Sequence, residues 1–135
     1  MGQKGGQFER EICVTLSLWW SGGVHDDIFW RSQTSGARAT MRKRKGKDTR
    51  GQAGDIAATH PSGKLLLDFM SLELKRGYPR SSCMDALDRL AKNKPQEWER
   101  WLAQARAAQE NMGSRFWGMV TRRDRRRAYI YFPHE

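Results

Sequence analysis

The sequence is poor in the residues that build zinc sites and disulfide frameworks. Its 135 residues include two cysteines, three histidines and four prolines. Cys13 and Cys83 have no partner at metal-ligand spacing, so we predict that both are reduced and structural. His25 precedes two aspartates and could take part in metal binding, but a polar turn explains this short segment better. Zinc chemistry is therefore not predicted.

Long apolar segments are also lacking. No run approaches the roughly 20 residues that a bilayer-spanning helix needs. The first residues do not show the basic, apolar and small-residue segments of a secretory signal. We therefore expect a soluble, intracellular, cytoplasmic protein without membrane contact. Its length suits a single domain, residues 1–135, that can bury a substantial core.

Acidic residues are scarce relative to basic ones. There are 25 Lys and Arg against 15 Asp and Glu, which gives a net charge of +10 and an isoelectric point near 10.2. This balance favours a polyanionic partner, because basic side chains neutralise phosphates and release counterions. An anionic membrane surface is the alternative, but the basic residues do not follow one helical face. Nucleic acid is the predicted partner.

The first predicted element is a helix, Gly6–Trp20, after a flexible lead-in at residues 1–5. Glu9 falls on the same side of this helix as its apolar stripe. Burying a bare carboxylate costs several kcal/mol or more, so Glu9 must be neutralised, paired or linked to a metal. A glutamate that favours the helix N-terminus through the macrodipole is the competing explanation. The stripe consists of Phe8, Ile12, Leu16, Trp19 and Trp20.

The remaining pattern alternates strands, helices and one basic loop. In chain order we predict a strand within Asp27–Ser32, a mobile basic loop at 35–53, strands Asp55–Thr59 and Lys64–Lys75 joined as a hairpin, helices Ser82–Ala91 and Gln96–Asn111, and strands Phe116–Thr121 and Ala128–Phe132 around a basic turn.

Two carboxylates and one amine are the main candidates for chemistry. Alternate side chains of a strand share a face, so Glu73 and Lys75 project together. The predicted turn at Pro61-Ser62-Gly63 brings Asp55 back towards them. Oxygen ligands of this kind suit Mg²⁺, which usually takes one or two carboxylates. The alternative is that Asp55 is a turn residue and the other two are an exposed strand pair.

Two basic segments are candidates for contacting nucleic acid. The loop at 35–53 comes directly before Asp55, where a DNA backbone would have to lie. In the turn at 122–127, closely packed like charges repel each other unless an anion relieves them. Either segment could instead be an ordinary solvated surface. The candidate contacts are Arg38, Arg42, Lys43, Arg44, Lys45, Lys47, Arg122, Arg123, Arg125 and Arg126.

The order of the motifs resembles the PD-(D/E)xK nuclease superfamily. Within it, the sequence is most similar to archaeal-type Holliday junction resolvases and related phage endonucleases. The motifs are a helix with Gly6-Gln7-Phe8-Glu9-Arg10-Glu11, a strand that ends in Arg31-Ser32, and Gly54-Asp55-Ile56 followed by Glu73-Leu74-Lys75 and a helix. The resemblance implies an α/β (α+β) fold with a restriction-endonuclease-like core, in which helices flank a mixed central β-sheet. Two features depart from the family: Gly54 replaces the usual proline, and the loop at 35–53 is long for a junction resolvase.

The resemblance also implies roles for individual residues. Asp55, Glu73 and the backbone carbonyl of Leu74 would hold Mg²⁺ or Mn²⁺. It selects Glu9 over Glu11 as the helix glutamate, which would bind a metal-bound water or a second ion. Lys75 would orient or deprotonate the attacking water and contact the phosphate. The products would carry 5′-phosphate and 3′-hydroxyl ends.

The expected substrate is DNA, particularly branched or junction-containing DNA. Arg31 and Ser32 would join the basic segments in clamping its backbone. Symmetric cutting of two strands needs two active sites, so the resolvase interpretation predicts a homodimer. A nicking or flap nuclease of the same fold could be monomeric. The alternative outside the enzymes is a non-catalytic, basic nucleic-acid-binding protein. The sequence does not distinguish RNA from DNA as the substrate.

Overall fold

A computed structural model describes residues 2–32, 54–78, 82–84, 88 and 96–133. Three helices and five strands lie within them. These elements are α1 (Gly2–Trp20), β1 (Phe29–Arg31), β2 (Ile56–Ala58), α2 (Pro61–Phe69), β3 (Met70–Arg76), α3 (Glu97–Met112), β4 (Phe116–Arg122) and β5 (Tyr129–Tyr131). The predicted basic loop at 35–53 and most of the predicted helix Ser82–Ala91 lie outside the described residues.

The strands form one mixed and one antiparallel sheet. The three-stranded sheet has the order β3-β4-β5, in which β3 and β4 are parallel and β4 and β5 antiparallel. The second sheet pairs β1 with β2 in antiparallel register. The chain ends in the hairpin that the sequence predicts, because two strand-forming runs flank a short polar turn.

Helix α1 confirms the amphipathic pattern but begins at Gly2, so it includes most of the predicted lead-in. Phe8 of its apolar stripe is buried, and so is the neighbouring Cys13. The helix ends where Gly22 and Gly23 adopt positive φ angles and the N–H of Gly23 donates to the carbonyl of Leu18 at 2.7 Å. This glycine-based ending satisfies carbonyls that the last turn leaves without a partner.

The predicted hairpin between Asp55–Thr59 and Lys64–Lys75 is wrong. The segment expected to form its turn begins helix α2 instead, and β2 pairs with β1. Pro61 suits the first helical position, and Nδ1 of His60 accepts the N–H of Ser62 at 3.1 Å as an N-cap. Gly63 allows close packing on the start of β1, since a Cβ there would lie 2.8 Å from Ile28 Cγ2 and 2.9 Å from Phe29 Cε1. Capping and packing together therefore favour a helix.

Helix α3 confirms the second predicted helix, which was expected at Gln96–Asn111. Glu99 accepts the N–H of Gln96 at 3.3 Å, and Gly113 ends the helix with φ of 70°. Trp98 and Trp101 are buried, as the core spacing predicts. Both caps are readable from the sequence, which is why these boundaries agree closely with the prediction.

Helices pack against the mixed sheet on both faces. On one face, Leu72 and Leu74 of β3 belong to the same core cluster as Phe8 of α1. On the other, Met119 of β4 packs with Trp98 and other residues of α3. The fold is thus α+β with a restriction-endonuclease-like arrangement, as predicted. In the part of the chain that the structure describes, no helix combines the length and the apolar character needed to cross a bilayer.

Candidate active site

Asp55 is held against the edge of strand β3 by two hydrogen bonds. Its N–H donates to the carbonyl of Leu72 at 3.0 Å, and its Oδ2 accepts the N–H of Leu74 at 2.7 Å. The N–H and C=O of one strand residue point to the same side of the strand. The carbonyl of Leu74 is therefore directed towards the edge that carries the Asp55 carboxylate.

Ser32 and Gly54 hold the segment that carries Asp55. The Oγ of Ser32 donates to the carbonyl of Gly54 at 2.6 Å, and its N–H donates to the carbonyl of Asp55 at 2.9 Å. Gly54 has φ of +83°, which proline cannot adopt. This backbone conformation explains the departure from the family proline. Ser32, predicted to contact DNA, is engaged with the site itself.

Glu73 lies next to Asp55, and the two side chains share a hydrogen bond. Only 8% of Asp55 and 6% of Glu73 is exposed. Burial raises the pKa of Glu73 to about 8, with a further contribution from the Asp55 charge. Burial also raises the pKa of Asp55, against the Leu74 N–H and the Lys75 charge, which lower it. The two buried carboxyls thus favour retaining a proton between them when no cation is present.

Lys75 lies within electrostatic reach of both acids, since its charge lowers the pKa of each. Its Nζ donates to Oε1 of Gln104 on α3. Gln104 was not among the predicted residues, although the sequence contains a signal for it: Gln104 lies one turn after Trp101, at the border of the buried stripe of α3. Gln104 orients the amine from the helix that packs behind the strand.

Glu9 of α1 faces the acidic pair and is bound by Arg31. Nε of Arg31 lies 3.0 Å from the Glu9 carboxylate, of which 22% is exposed. Burial raises the pKa of Glu9, the Asp55 charge raises it further, and Arg31 opposes both effects. Gly6 leaves room for the guanidinium, because a Cβ there would lie 2.9 Å from Arg31 Nη1. The helix motif and the strand motif therefore meet at this ion pair.

Glu11 is directed elsewhere and pairs with Arg122 at 3.2 Å. Of the two glutamates in the helix motif, Glu9 is thus the one that interacts electrostatically with Asp55 and Glu73. The structure brings Glu9, Asp55, Glu73 and Lys75 to one place.

The chemistry of the acidic pair fits a hard divalent cation. Two buried, adjacent carboxylates repel each other when ionised, and a bound cation relieves that repulsion. Among the described residues, no group of three or more His, Cys, Asp or Glu side chains is arranged to hold a metal ion. The groups that could bind the cation are therefore the Asp55 and Glu73 carboxylates and the Leu74 carbonyl. Glu9 is already paired with Arg31.

The predicted nucleic-acid contacts fall into three groups. Arg123, Arg125 and Arg126 are exposed in the β4–β5 turn, and Arg122 precedes them at the end of β4. Arg31 and Ser32 contact the acidic site itself, and six further predicted contacts lie outside the described residues: Arg38, Arg42, Lys43, Arg44, Lys45 and Lys47. Their proximity to the acidic pair stays a prediction.

Comparison with known proteins gives one family match. Residues 2–135 match the family described as "Phage putative PDDEXK endonuclease". Searches of curated proteins and of solved structures each returned no match. The family match covers nearly the whole chain, including all four residues that the structure gathers.

Proposed function

The chain belongs to the family of phage PDDEXK endonucleases, and from this premise we propose that it hydrolyses phosphodiester bonds of DNA with a divalent metal ion. The observation that carries the proposal is the convergence of Asp55, Glu73 and Lys75 at the edge of β3. Asp55 lies 18 positions before Glu73 and outside the strand that carries Glu73 and Lys75, so the chain has to fold back to bring it to them. A purely structural role would not require two buried acids next to each other, because such a pair is unfavourable without a proton or a cation.

Each residue has a proposed role. Asp55, Glu73 and the Leu74 carbonyl would hold Mg²⁺ or Mn²⁺, which when bound would activate water and neutralise developing charge. Lys75, oriented by Gln104, would position or deprotonate the attacking water and contact the phosphate. Glu9 would accept a hydrogen bond from that water or ligate a second ion. The expected products carry 5′-phosphate and 3′-hydroxyl ends.

We propose branched DNA, including four-way junctions, as the substrate. The positive charge and the exposed arginines of the β4–β5 turn support binding to phosphates without reading of the bases. Contacts of this kind carry no sequence information, so the proposed preference is for the shape of the DNA. A nicking or flap nuclease is the alternative within the same family.

We also propose a homodimer, because symmetric cutting of two strands requires two sites. An apolar groove of about 460 Å³ supports this. Trp19 is 67% exposed beside it and Phe132 is 60% exposed. Its lining is almost entirely apolar, and an exposed apolar patch of this kind marks an interaction surface. A second copy of the chain is therefore the proposed occupant, and Phe132→Asp should weaken the dimer in sedimentation experiments.

Cleavage of a substrate panel tests the proposal. The panel contains four-way junctions, nicked, flapped and linear duplexes, each assayed with Mg²⁺ and with EDTA. Lys75→Ala should abolish metal-dependent cleavage and retain DNA binding, whereas Lys64→Ala, on the exposed side of α2, should cleave normally. Equal cutting of all substrates would contradict the junction preference. Binding without any metal-dependent cutting would instead support a non-catalytic nucleic-acid-binding protein.

A further inference from the structure

A second cavity lies beside the acidic pair and shares Lys75 with it. Its volume is about 230 Å³, and it is enclosed by the end of β3, the start of α3 and the β4–β5 turn. We propose that this cavity binds one unpaired nucleotide of the DNA next to the cleaved phosphate. The proposal rests on the proposed nuclease function and specifies the substrate further: DNA in which a nucleotide can leave the base stack.

The walls of the cavity are aromatic. Tyr78 packs edge-to-face on Trp101 with ring centroids 4.9 Å apart, and Tyr131 does so on Trp98 at 4.8 Å. Tyr129, which is 58% exposed, also lines the cavity. Trp98 and Trp101 are nearly fully buried, so Tyr78 and Tyr129 provide the exposed ring surfaces on which an unpaired base of any sequence can stack. Such an arrangement suits a base better than an aliphatic or a charged ligand.

The mouth of the cavity is cationic. Arg123, Arg126 and Arg127 line it, and no carboxylate is among the described residues that do. Within the described residues, these three guanidinium groups have no acidic partner at ion-pair distance, whereas Arg122 pairs with Glu11. Closely spaced cations of this kind are stabilised by an anion. The phosphates on either side of a single nucleotide would supply it.

A buried donor points to a polar ligand. Trp98 lines the cavity and is only 5% exposed, and its Nε1 has no hydrogen-bond partner among the described residues. By contrast, Nε1 of Trp20 donates to the carbonyl of Ser62 at 3.1 Å, and Nε1 of Trp101 donates to Glu97 at 3.0 Å. Buried donors are rarely left without an acceptor. A ring nitrogen or carbonyl of a nucleobase would satisfy the indole of Trp98.

The size and position of the cavity limit what it can hold. A volume of about 230 Å³ is suited to a single base and is too small for a base pair. Because Lys75 lines both the cavity and the acidic site, a nucleotide bound there would be adjacent to the reacting phosphate. Fully paired DNA would first have to flip a base out of its stack, and a branch, flap or bulge supplies one at lower cost.

The test measures binding in EDTA, so that it does not depend on cleavage. The full chain is titrated with two duplexes that differ by one extrahelical 2-aminopurine, and anisotropy gives the affinity. The unpaired nucleotide should strengthen binding about 5- to 150-fold, as expected for stacking of one base. The 2-aminopurine fluorescence should also be quenched on binding, because the base would stack on aromatic rings.

Two variants connect this preference to the cavity. Trp98→Phe keeps an aromatic ring and removes the N–H, so the preference should fall severalfold; the smaller ring should also lower thermal stability moderately, because Trp98 is part of the core. Tyr129→Ala, at the exposed mouth, should lower the preference through loss of stacking. Trp20→Phe is the matched control, because Trp20 lines neither cavity and its Nε1 donates to Ser62; it should leave the preference unchanged.

Equal affinity for the two duplexes, or a preference that both cavity variants retain, would overturn the proposal. The outcome is separable from the proposed function. If the protein cleaves DNA but shows no preference for the unpaired nucleotide, only the proposed nucleotide pocket is contradicted. If it shows the preference but does not cleave, only the proposed nuclease function is contradicted.

Discussion

The carboxylate of Asp55 accepts a hydrogen bond from the backbone N–H of Leu74 at 2.7 Å. The two residues are 19 positions apart in the chain. This contact fixes the acid beside Glu73, because Glu73 directly precedes Leu74 on the strand. One oxygen of Asp55 therefore also stabilises the fold. A substitution that tests catalysis has to keep an acceptor for the Leu74 N–H.

Asp55→Asn should separate catalysis from folding. The amide oxygen can still accept the N–H of Leu74, so the fold should persist, while the loss of charge should lower cleavage by about 10³-fold or more. Single-turnover cleavage with Mg²⁺ and circular dichroism measure the two effects. Asp68→Asn, on the exposed side of α2, is the control and should cleave at the normal rate. If Asp55→Asn still cleaved at the normal rate, Asp55 would not be a catalytic residue.

Glu73 should make the metal-free protein less stable as the pH rises. Its pKa is about 8 in the folded protein against 4.5 ordinarily, so the folded state holds a proton that the unfolded state releases. The stabilisation is complete below pH 4.5 and is lost as the pH rises through 8. It is on the order of a few kcal/mol. Melting temperatures in EDTA between pH 5 and 8 should therefore fall for the wild type.

Glu73→Gln should flatten this pH dependence, because the amide carries no titrating proton. Glu110→Gln, on the exposed side of α3, should leave the slope unchanged. A slope that is equally steep in Glu73→Gln would assign the effect to other groups.

Arg31→Gln should move the acidic limb of the pH–rate profile to higher pH. Arg31 opposes the burial and the Asp55 charge that raise the pKa of Glu9, so its removal should raise that pKa further. If ionised Glu9 assists the reaction, kcat/KM will then be lost at a higher pH than in the wild type. Arg106→Gln, on the exposed side of α3, serves as the control. A uniform loss of binding without a shifted profile would instead support the original prediction that Arg31 contacts DNA.

Gly54→Ala should destabilise the protein by about 1–2 kcal/mol through its left-handed backbone alone. A Cβ at Gly54 would also lie 3.1 Å from Met112 Sδ and 3.4 Å from the Leu72 carbonyl. Gly22→Ala is the matched variant, because Gly22 also has positive φ but open space around it. Urea unfolding should rank Gly54→Ala as the more destabilised of the two. Gly54→Pro should be worse still, since proline fixes φ near −65°.

The arginines of the β4–β5 turn should control the salt dependence of DNA binding. Replacing Arg123 and Arg126 together by Gln should reduce the slope of log K against log salt by about 2, because each phosphate contact contributes about 0.9. Arg106→Gln should leave the slope unchanged. An unchanged slope in the double variant would show that this turn does not contact phosphates.

Local sequence patterns were sufficient for several elements. Helix α3 and the β4–β5 hairpin were predicted closely, because periodicity, caps and turn residues act over a few neighbouring positions. Glu9 was singled out for the same kind of reason, since a carboxylate on an apolar face needs a partner. The family resemblance then added the order of the motifs.

The hairpin prediction failed where local signals conflicted. The segment Pro61–Phe69 is apolar enough for a strand, and only its N-cap at His60 and the packing of Gly63 on Ile28 decide in favour of a helix. Packing on β1 depends on residues more than 30 positions away, which no short pattern contains. As a result, the proximity of Asp55 and Glu73 was predicted, but the hairpin that was expected to produce it was wrong.

The sequence by itself determined which side chains are available for chemistry and which helices and strands carry them. Only the tertiary structure decided that Asp55 reaches Glu73 along the open edge of β3 and that Arg31 engages Glu9 rather than solvent. The physical reason is the distance along the chain over which each kind of interaction acts. Backbone propensities act between neighbours, whereas the burial, pKa and pairing of these acids depend on groups that approach each other only when the core is packed.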